Sequence, residues 1–311
     1  MNVPTEAPKL PNFFIVGAPK CGTTAWVEYL RAHPDVFFPN VKDQCYFALD
    51  LPNFRLTKTP AHYAALYANC GAAKVVGEAS AMYLFSTAAA RAIRDHDPAS
   101  KILIFLRGQE DYLPSLHNQF LWEFAEEIED FETAWRLSGH RSAETIPSGC
   151  LEPRTLDYAS MGRFEQQVGR YLEGFPSSQV CVIDFRDWIA NSRRTYLQIL
   201  DFLGLPDDGR TDFPAVNAGV TYRSRKLTRL VVRPPAHLRK IALLLKRITG
   251  PFGRRLHGAA LGLARSAAIS GYRDLRPELR EEIRRYYADE NAALKRRLAR
   301  HSAKAPTKTS L

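Results

Sequence analysis

Short apolar runs alternate with helical periodicities as far as Asp212, and beyond that point the apolar runs stop. Phe13-Phe14-Ile15-Val16 running into Gly17, Lys74–Val76, Ile102–Leu106 and Val180–Ile183 are compact enough to be buried parallel strands. Between and after them the spacing predicts helices over Thr23–Ala32, Pro60–Asn69, Ser86–His96, Asp111–Glu127, Tyr158–Glu173 and Trp188–Leu203. This order implies a parallel sheet covered by helices. From Tyr222 to Ala268 the pattern is that of basic amphipathic helices, broken at Pro234-Pro235 and Gly250-Pro251. A last helix is expected from about Pro277 to Arg297, with proline near its first turn and Glu281 four residues before Arg285.

Length changes this picture little. At 311 residues the chain can bury a substantial core without disulfides or metals. We read one α/β domain over residues 12–300 with a helical C-terminal portion, and flexible termini at 1–11 and 302–311. The N-terminus lacks the pattern of a signal peptide, and no apolar run approaches the roughly 20 residues of a membrane span. Cys21, Cys45, Cys70, Cys150 and Cys181 form no CxxC pair, so neither a zinc site nor a disulfide framework is indicated. A cytoplasmic protein with reduced thiols is the expectation.

Charge adds more. The net charge is +10, which points to anionic ligands or surfaces. It is unevenly placed, because no acid lies between Asp212 and Asp274 while twelve or more Lys and Arg side chains do, from Arg223 and Arg225 to Arg265.

The candidate chemistry begins at Gly17-Ala18-Pro19-Lys20-Cys21-Gly22-Thr23-Thr24, which follows a strand and opens a helix. Glycines at its first and sixth positions permit a tight loop whose amides converge on a phosphate at a helix N-terminus. In a nucleoside-triphosphate loop the second glycine is followed by lysine and then Ser/Thr. Here Thr23 takes the lysine position and the lysine stands at Lys20. Such a loop is poorly equipped for a triphosphate and its magnesium. It suits a single 5′-phosphate and its leaving-group oxygen. A strand–helix turn without any ligand is the plainer alternative.

The run FIVGAPKCGTTAWVEYLRAHPDVF resembles the 5′-phosphosulfate loop and following helix of the sulfotransferases that use 3′-phosphoadenosine 5′-phosphosulfate (PAPS). KVVGEASAMYLFS, ILIFLRGQEDYLPSLHNQF, FRDWIANSRRTYLQILDFLGL and LRPELREEIRRYYADENAALKRRL are similar to later segments of that family, in the same order. The resemblance implies a P-loop-type fold. It implies that Lys20, Cys21, Gly22, Thr23 and Thr24 hold the 5′-phosphosulfate, and that Arg107 and Ser115 hold the 3′-phosphate. Arg223 and Arg225 would lie over that phosphate, as basic residues near this point do in some relatives. Independently, Arg107 sits just past an apolar strand, at the edge where open α/β sheets bind ligands, and guanidinium pairs well with phosphate oxygens.

Sulfuryl transfer needs positioning, charge stabilisation and a base for the attacking hydroxyl, and in principle no metal. Lys20 is the expected catalytic cation. Many carbohydrate-type members carry Lys-Glu-x-x-Phe-Phe, whose glutamate is the base; this chain has Lys42-Asp43-Gln44-Cys45-Tyr46-Phe47. Asp43 is the first choice for base and Glu78 the second, with His33 and His117 behind them. A structural Asp43 is the alternative.

The aromatic-rich segments from Leu49 to Tyr67 and from Asn118 to Pro153 are where an acceptor, a small molecule or glycan, is expected to meet the chain. The basic stretch 223–265 reads as a solvated helix face, a contact with an anionic membrane or acceptor, or part of the nucleotide site. No nucleic-acid reading motif is present, so nucleic acid is not an expected partner. Two rival functions stand beside this one: a metal-dependent kinase or NTPase, and a non-catalytic bisphosphonucleotide-binding scaffold.

Overall fold

The computed structural model describes residues 9–216, 221–222, 265–266 and 275–303. Five parallel strands form its sheet: β1 (Phe13–Gly17), β2 (Val36–Phe37), β3 (Val75–Ala79), β4 (Lys101–Leu106) and β5 (Val180–Asp184), in the order β2-β3-β1-β4-β5. All five residues of β1 and of β3 are buried, as are the middle four of β4. That accounts for their near-continuous apolar sequence. The chain builds from β1 toward one edge and then crosses to β4 on the other side. The order therefore reverses between β1 and β4, and the carboxyl ends of these two strands flank the crevice where such sheets take ligands. Ala18 N donates to Phe105 O at 2.7 Å, so the loop leaving β1 is tied to β4 at this point.

The helices are α1 (Thr23–Arg31), α2 (Pro60–Ala65), α3 (Ala89–His96), α4 (Gln109–Glu123), α5 (Phe131–Arg136), α6 (Tyr158–Met161), α7 (Phe164–Gly174), α8 (Phe185–Ala190), α9 (Ser192–Leu203), α10 (Pro277–Tyr286) and α11 (Ala288–Ala303). Trp26 of α1 stacks on Phe105 of β4 with centroids 5.5 Å apart, fixing the helix that opens at the phosphate loop against the sheet.

Several expected boundaries move, each for a local reason. The two-residue β2, set between Pro34 and Pro39, is too short to show a period. β3 runs on through Gly77 and Glu78 because a Cβ at Gly77 would stand 2.4 Å from the Phe38 ring, and because hydroxyls receive the Glu78 carboxylate. Ser86 precedes α3 instead of lying inside it, its Oγ accepting from the amides of Ala88 and Ala89. Phe124, in the left-handed region at φ 56°, ends α4 short of Glu127. The single helices expected over Tyr158–Glu173 and Trp188–Leu203 are pairs. Gly162 and Arg163 separate α6 from α7, while Asn191 Oδ1 accepts from Arg194 N at 2.9 Å and starts α9.

The expected C-terminal helix is also two, meeting at Tyr287, whose hydroxyl donates to Ala159 O at 2.8 Å. Leu279, Ile283, Tyr287 and Leu294 bury their side chains in the core. Of the expected basic helices, nearly all lie outside the described residues. Only Thr221–Tyr222 and Arg265–Ser266 fall within them, pairing as a short antiparallel ladder. The expected flexible ends lie largely outside them too. Among the described residues no helix is long and apolar enough to cross a membrane.

Candidate active site

The loop between β1 and α1 needs both of its glycines. Gly17 has φ +149°, and a Cβ there would stand 2.6 Å from Leu84 Cβ and 2.8 Å from Ala81 O. Gly22 has φ +82°, and a Cβ would stand 2.6 Å from the Trp188 ring. Gly22 caps α1 without any side-chain hydrogen bond, so the first amides of the helix face the loop unspent. Thr23 is buried and Thr24 half-buried in that first turn. The Cys21 side chain points into the core, where burial pushes its thiol up to about 12, so this residue can offer a ligand only its backbone. Beside the loop, Trp188 Nε1 is buried with no hydrogen-bond partner among the described residues. A buried donor left open and a row of open amides fit an acceptor-rich ligand such as a phosphate.

Lys20 stands mid-loop in the left-handed region at φ 60°. Its ammonium donates to Gln119 Oε1 at 2.8 Å. Burial lowers its pKa, Glu123 raises it, and Arg107 and Lys42 lower it again, so three cationic side chains converge on the crevice. Arg107 follows β4 directly and lies over the Phe185 ring, its Cζ 4.7 Å from the centroid, in a cation–π contact. Ser115, Gln119 and Glu123 recur every four residues and so share one face of α4. Ser115 is buried on that stripe one turn before the residue that holds Lys20. Gln119 Nε2 donates in turn to Glu123 Oε1.

The two carboxylates are held quite differently. Asp43 sits at φ 59°, with its amide bonded to Ala79 O at the end of β3. Its Oδ1 accepts from Ala81 N at 3.0 Å and its Oδ2 pairs with Lys42. Ala81 is also the residue whose carbonyl packs against Gly17, so the Asp43 carboxylate lies against the phosphate loop, still partly open to solvent. Glu78 lies beneath, fully buried, and accepts from Tyr63, from Tyr83 at 2.5 Å and from Ser80 at 3.0 Å. Burial raises its pKa to about 7 against the pull of those three hydroxyls. Its carboxylate is enclosed by these hydroxyls.

His33 and His117 are structural. His33 Nε2 lies 3.0 Å from Pro206 O, and His117 Nε2 lies 2.8 Å from Ile128 O in a buried setting that lowers its pKa.

Four non-glycine residues among those described have positive φ: Lys20, Asp43, Cys45 and Phe124. Each such residue costs of order 1–3 kcal/mol, and strain of this kind collects at functional sites. Two of the four are the two groups the sequence picks for catalysis, and Phe124 closes the helix that holds Lys20. The structure thus places Lys20, Gly22, Thr23, Thr24 and Asp43 at the phosphate loop, Arg107 near Lys20, Ser115 on the face of α4 that holds Lys20, and Glu78 buried among its three hydroxyls. Arg223 and Arg225 lie outside the described residues. Gln119 and Trp188 are additions that the sequence reading missed. A glutamine within a helix and a tryptophan four residues past a strand carry no motif, and only the fold brings them to the loop.

A family model described as a sulfotransferase domain matches residues 10–213. Carbohydrate sulfotransferase 15 of Rattus norvegicus is 24% identical over 256 residues, covering 63% of this chain and 44% of that protein. Heparan sulfate glucosamine 3-O-sulfotransferase 6 of Mus musculus is 24% identical over 212 residues, covering 63% of this chain and 53% of that protein. The chain therefore spans about half the length of the curated relatives it matches. In fold it is similar to a solved sulfotransferase from Alicyclobacillus acidocaldarius, with a TM-score of 0.66 and 24% identity over 94% of this chain and 96% of that one.

Proposed function

Because this chain belongs to the sulfotransferase domain family, we propose that it moves a sulfuryl group from PAPS to the hydroxyl of a carbohydrate, lipid or other small metabolite. The relatives' names favour the first of these acceptors. The observation that carries the reading is the phosphate loop itself. It lacks the nucleoside-triphosphate lysine at position 23 and holds Lys20 and, against its flank, Asp43 in left-handed backbone.

The donor supplies a sulfuryl group on a phosphate whose departure leaves adenosine 3′,5′-bisphosphate. In our reading the loop amides from Gly22 to Thr24 hold the 5′-phosphate, with Trp188 Nε1 as a further donor. Arg107 and Ser115 hold the 3′-phosphate, joined by Arg223 and Arg225. Asp43 takes the hydroxyl proton while the acceptor oxygen bonds to sulfur. Lys20 leaves Gln119 and meets the charge that the breaking S–O bond deposits on the bridging oxygen. Anchoring of Asp43 Oδ1 by the Ala81 amide supports this role, since a base must be held within hydrogen-bond reach of its proton. The shorter aspartate stands where relatives of the carbohydrate type carry glutamate.

Calorimetric titration with adenosine 3′,5′-bisphosphate, beside ATP–magnesium and 5′-AMP, tests the reading. Tight binding of the bisphosphate that survives EDTA, with weak binding of the other two, is expected. Preference for ATP–magnesium would transfer the protein to the kinases and NTPases.

A further inference from the structure

The residues from Ala79 to Tyr83, where the chain leaves β3, take up the segment Asp43–Phe47 at alternate amides. Asp43 N donates to Ala79 O at 2.8 Å, Cys45 N to Ser80 Oγ at 3.0 Å and Phe47 N to the Tyr83 hydroxyl at 3.2 Å. One bond runs the other way, Ala81 N donating to Asp43 Oδ1 at 3.0 Å. The two backbone groups that hold Asp43, Ala79 O and Ala81 N, thus flank Ser80.

Two of the three acceptors along this seam are hydroxyls, and a hydroxyl has one proton to place and lone pairs to accept with. Both protons go to Glu78. Ser80 Oγ donates to its Oε1 at 3.0 Å, and Tyr83 donates to the same oxygen at 2.5 Å. The carboxylate thereby leaves the lone pairs of Ser80 and Tyr83 to Cys45 N and Phe47 N. The third donor to Glu78, Tyr63, stacks on Tyr46 with centroids 4.1 Å apart and meets Phe47 edge-on at 5.4 Å. Each of the three donors therefore also contacts the segment Cys45–Phe47.

That segment needs holding. Asp43 and Cys45 stand in the left-handed region at φ 59° and 50°, where non-glycine residues persist only if their surroundings over-determine the backbone. A carboxyl group is costly to bury, so a side chain that merely filled this space would serve better as an apolar one.

Resting on the sulfuryl-transfer reading, in which Asp43 is the base, we infer that Glu78 is a positioning residue. Through the Ser80 and Tyr83 hydroxyls it holds the Asp43–Phe47 segment in the backbone conformation that keeps Asp43 against the phosphate loop. It moves no proton of the reaction.

The test uses the full chain and two readouts. Amide hydrogen exchange followed by mass spectrometry reports on the Asp43–Phe47 segment and, as an internal control, on β1 and β4. Release of sulfate from labelled PAPS, with water as the acceptor, reports on the reaction. Glu78→Leu should speed exchange over Cys45–Phe47 at least about tenfold while β1 and β4 keep their protection. It should lower kcat for sulfate release about 10²-fold and leave KM for PAPS within about twofold, as a misplaced base does. Glu78→Gln keeps an oxygen for Ser80 and Tyr83, and should hold both readouts within about threefold of the parent. Ser80→Ala leaves the carboxylate in place and should release the Cys45 amide alone, which keeps the test open if Glu78→Leu does not fold. Equal loss of protection in the segment and the strands, or Glu78→Gln as damaging as Glu78→Leu, makes Glu78 an ordinary core residue and overturns the proposal. Full sulfate release from a loosened segment overturns it as well. Failure of the parent to bind adenosine 3′,5′-bisphosphate is a different loss, that of the sulfuryl-transfer reading, and the exchange pattern then still decides whether Glu78 holds the segment.

Discussion

Asp43 and Glu78 lie within one loop's reach of the same crevice, and their surroundings give them opposite tasks. Asp43 keeps lone pairs free beyond its bonds to Ala81 N and Lys42. Replacing it by asparagine preserves the amide contact and removes the basicity. Asp43→Asn should therefore lower kcat by about 10²- to 10⁴-fold while bisphosphate affinity holds. Unchanged turnover would leave Asp43 a structural residue, and affinity without turnover in the parent chain would favour the scaffold reading. Glu78 is instead a buried acid, whose pKa rises from 4.5 to about 7 on burial. A group with a raised folded-state pKa gives its full stability below the unfolded value and loses it as pH rises through the folded value. That difference corresponds to about 3 kcal/mol between roughly pH 4.5 and pH 7. Glu78→Gln removes this dependence, so denaturant midpoints of the two proteins should converge or cross as pH rises from 5 to 8. Parallel curves would show that Glu78 does not titrate in this window.

The strand–loop–helix unit is rigid for two separable reasons, backbone conformation and contact with Trp188. Gly22→Ala imposes a side chain at φ +82° and drives its Cβ to 2.6 Å from the indole. Either α8 moves or the loop does, so bisphosphate affinity should fall at least about tenfold with little change in secondary structure by circular dichroism. Retained affinity would mean the loop has more play than this packing allows. It was this unit that the sequence displayed most clearly. Two glycines at fixed spacing after an apolar strand, and an arginine after another, need no tertiary knowledge to recognise. Glu78 shows the opposite case: its polarity hid the second half of β3, because nothing local foretells that Tyr63, Ser80 and Tyr83 will converge on it. The helix pairs were read as single helices for a similar reason. Asn191 is a cap by virtue of one hydrogen bond, and Tyr287 is a break because its hydroxyl is drawn to Ala159 across the molecule. Gln119 reaches Lys20 across ninety-nine positions of chain, a distance over which periodicity carries no information.

At the scale of the whole molecule the site depends on elements that never touch it. The first turn of α4, the helix whose face carries Ser115, Gln119 and Glu123, is held by the C-terminal pair α10–α11. Gln109, almost fully buried, exchanges hydrogen bonds with Asn291 at 2.9 and 3.1 Å and donates to Gly162 O at 3.2 Å. Outside this amide pair, Arg280 meets Asp111 and Arg284 meets Glu110 in ion pairs near the surface. The two kinds of contact differ in weight. Asn291→Ala leaves the buried Gln109 amide short of partners, which costs about 1–3 kcal/mol, whereas an exposed ion pair is screened by water and its loss moves little. Urea unfolding should therefore separate Asn291→Ala clearly from the parent and leave Arg284→Ala close to it. If the buried amide pair also aims α4, Asn291→Ala should weaken the bisphosphate while Arg284→Ala should not. Equal losses of stability in the two variants would assign the clamp to its surface charges. A destabilised Asn291→Ala with full bisphosphate affinity would show that α4 is aimed from the sheet side, through Ala18 and Phe105, and that the C-terminal helices serve stability alone.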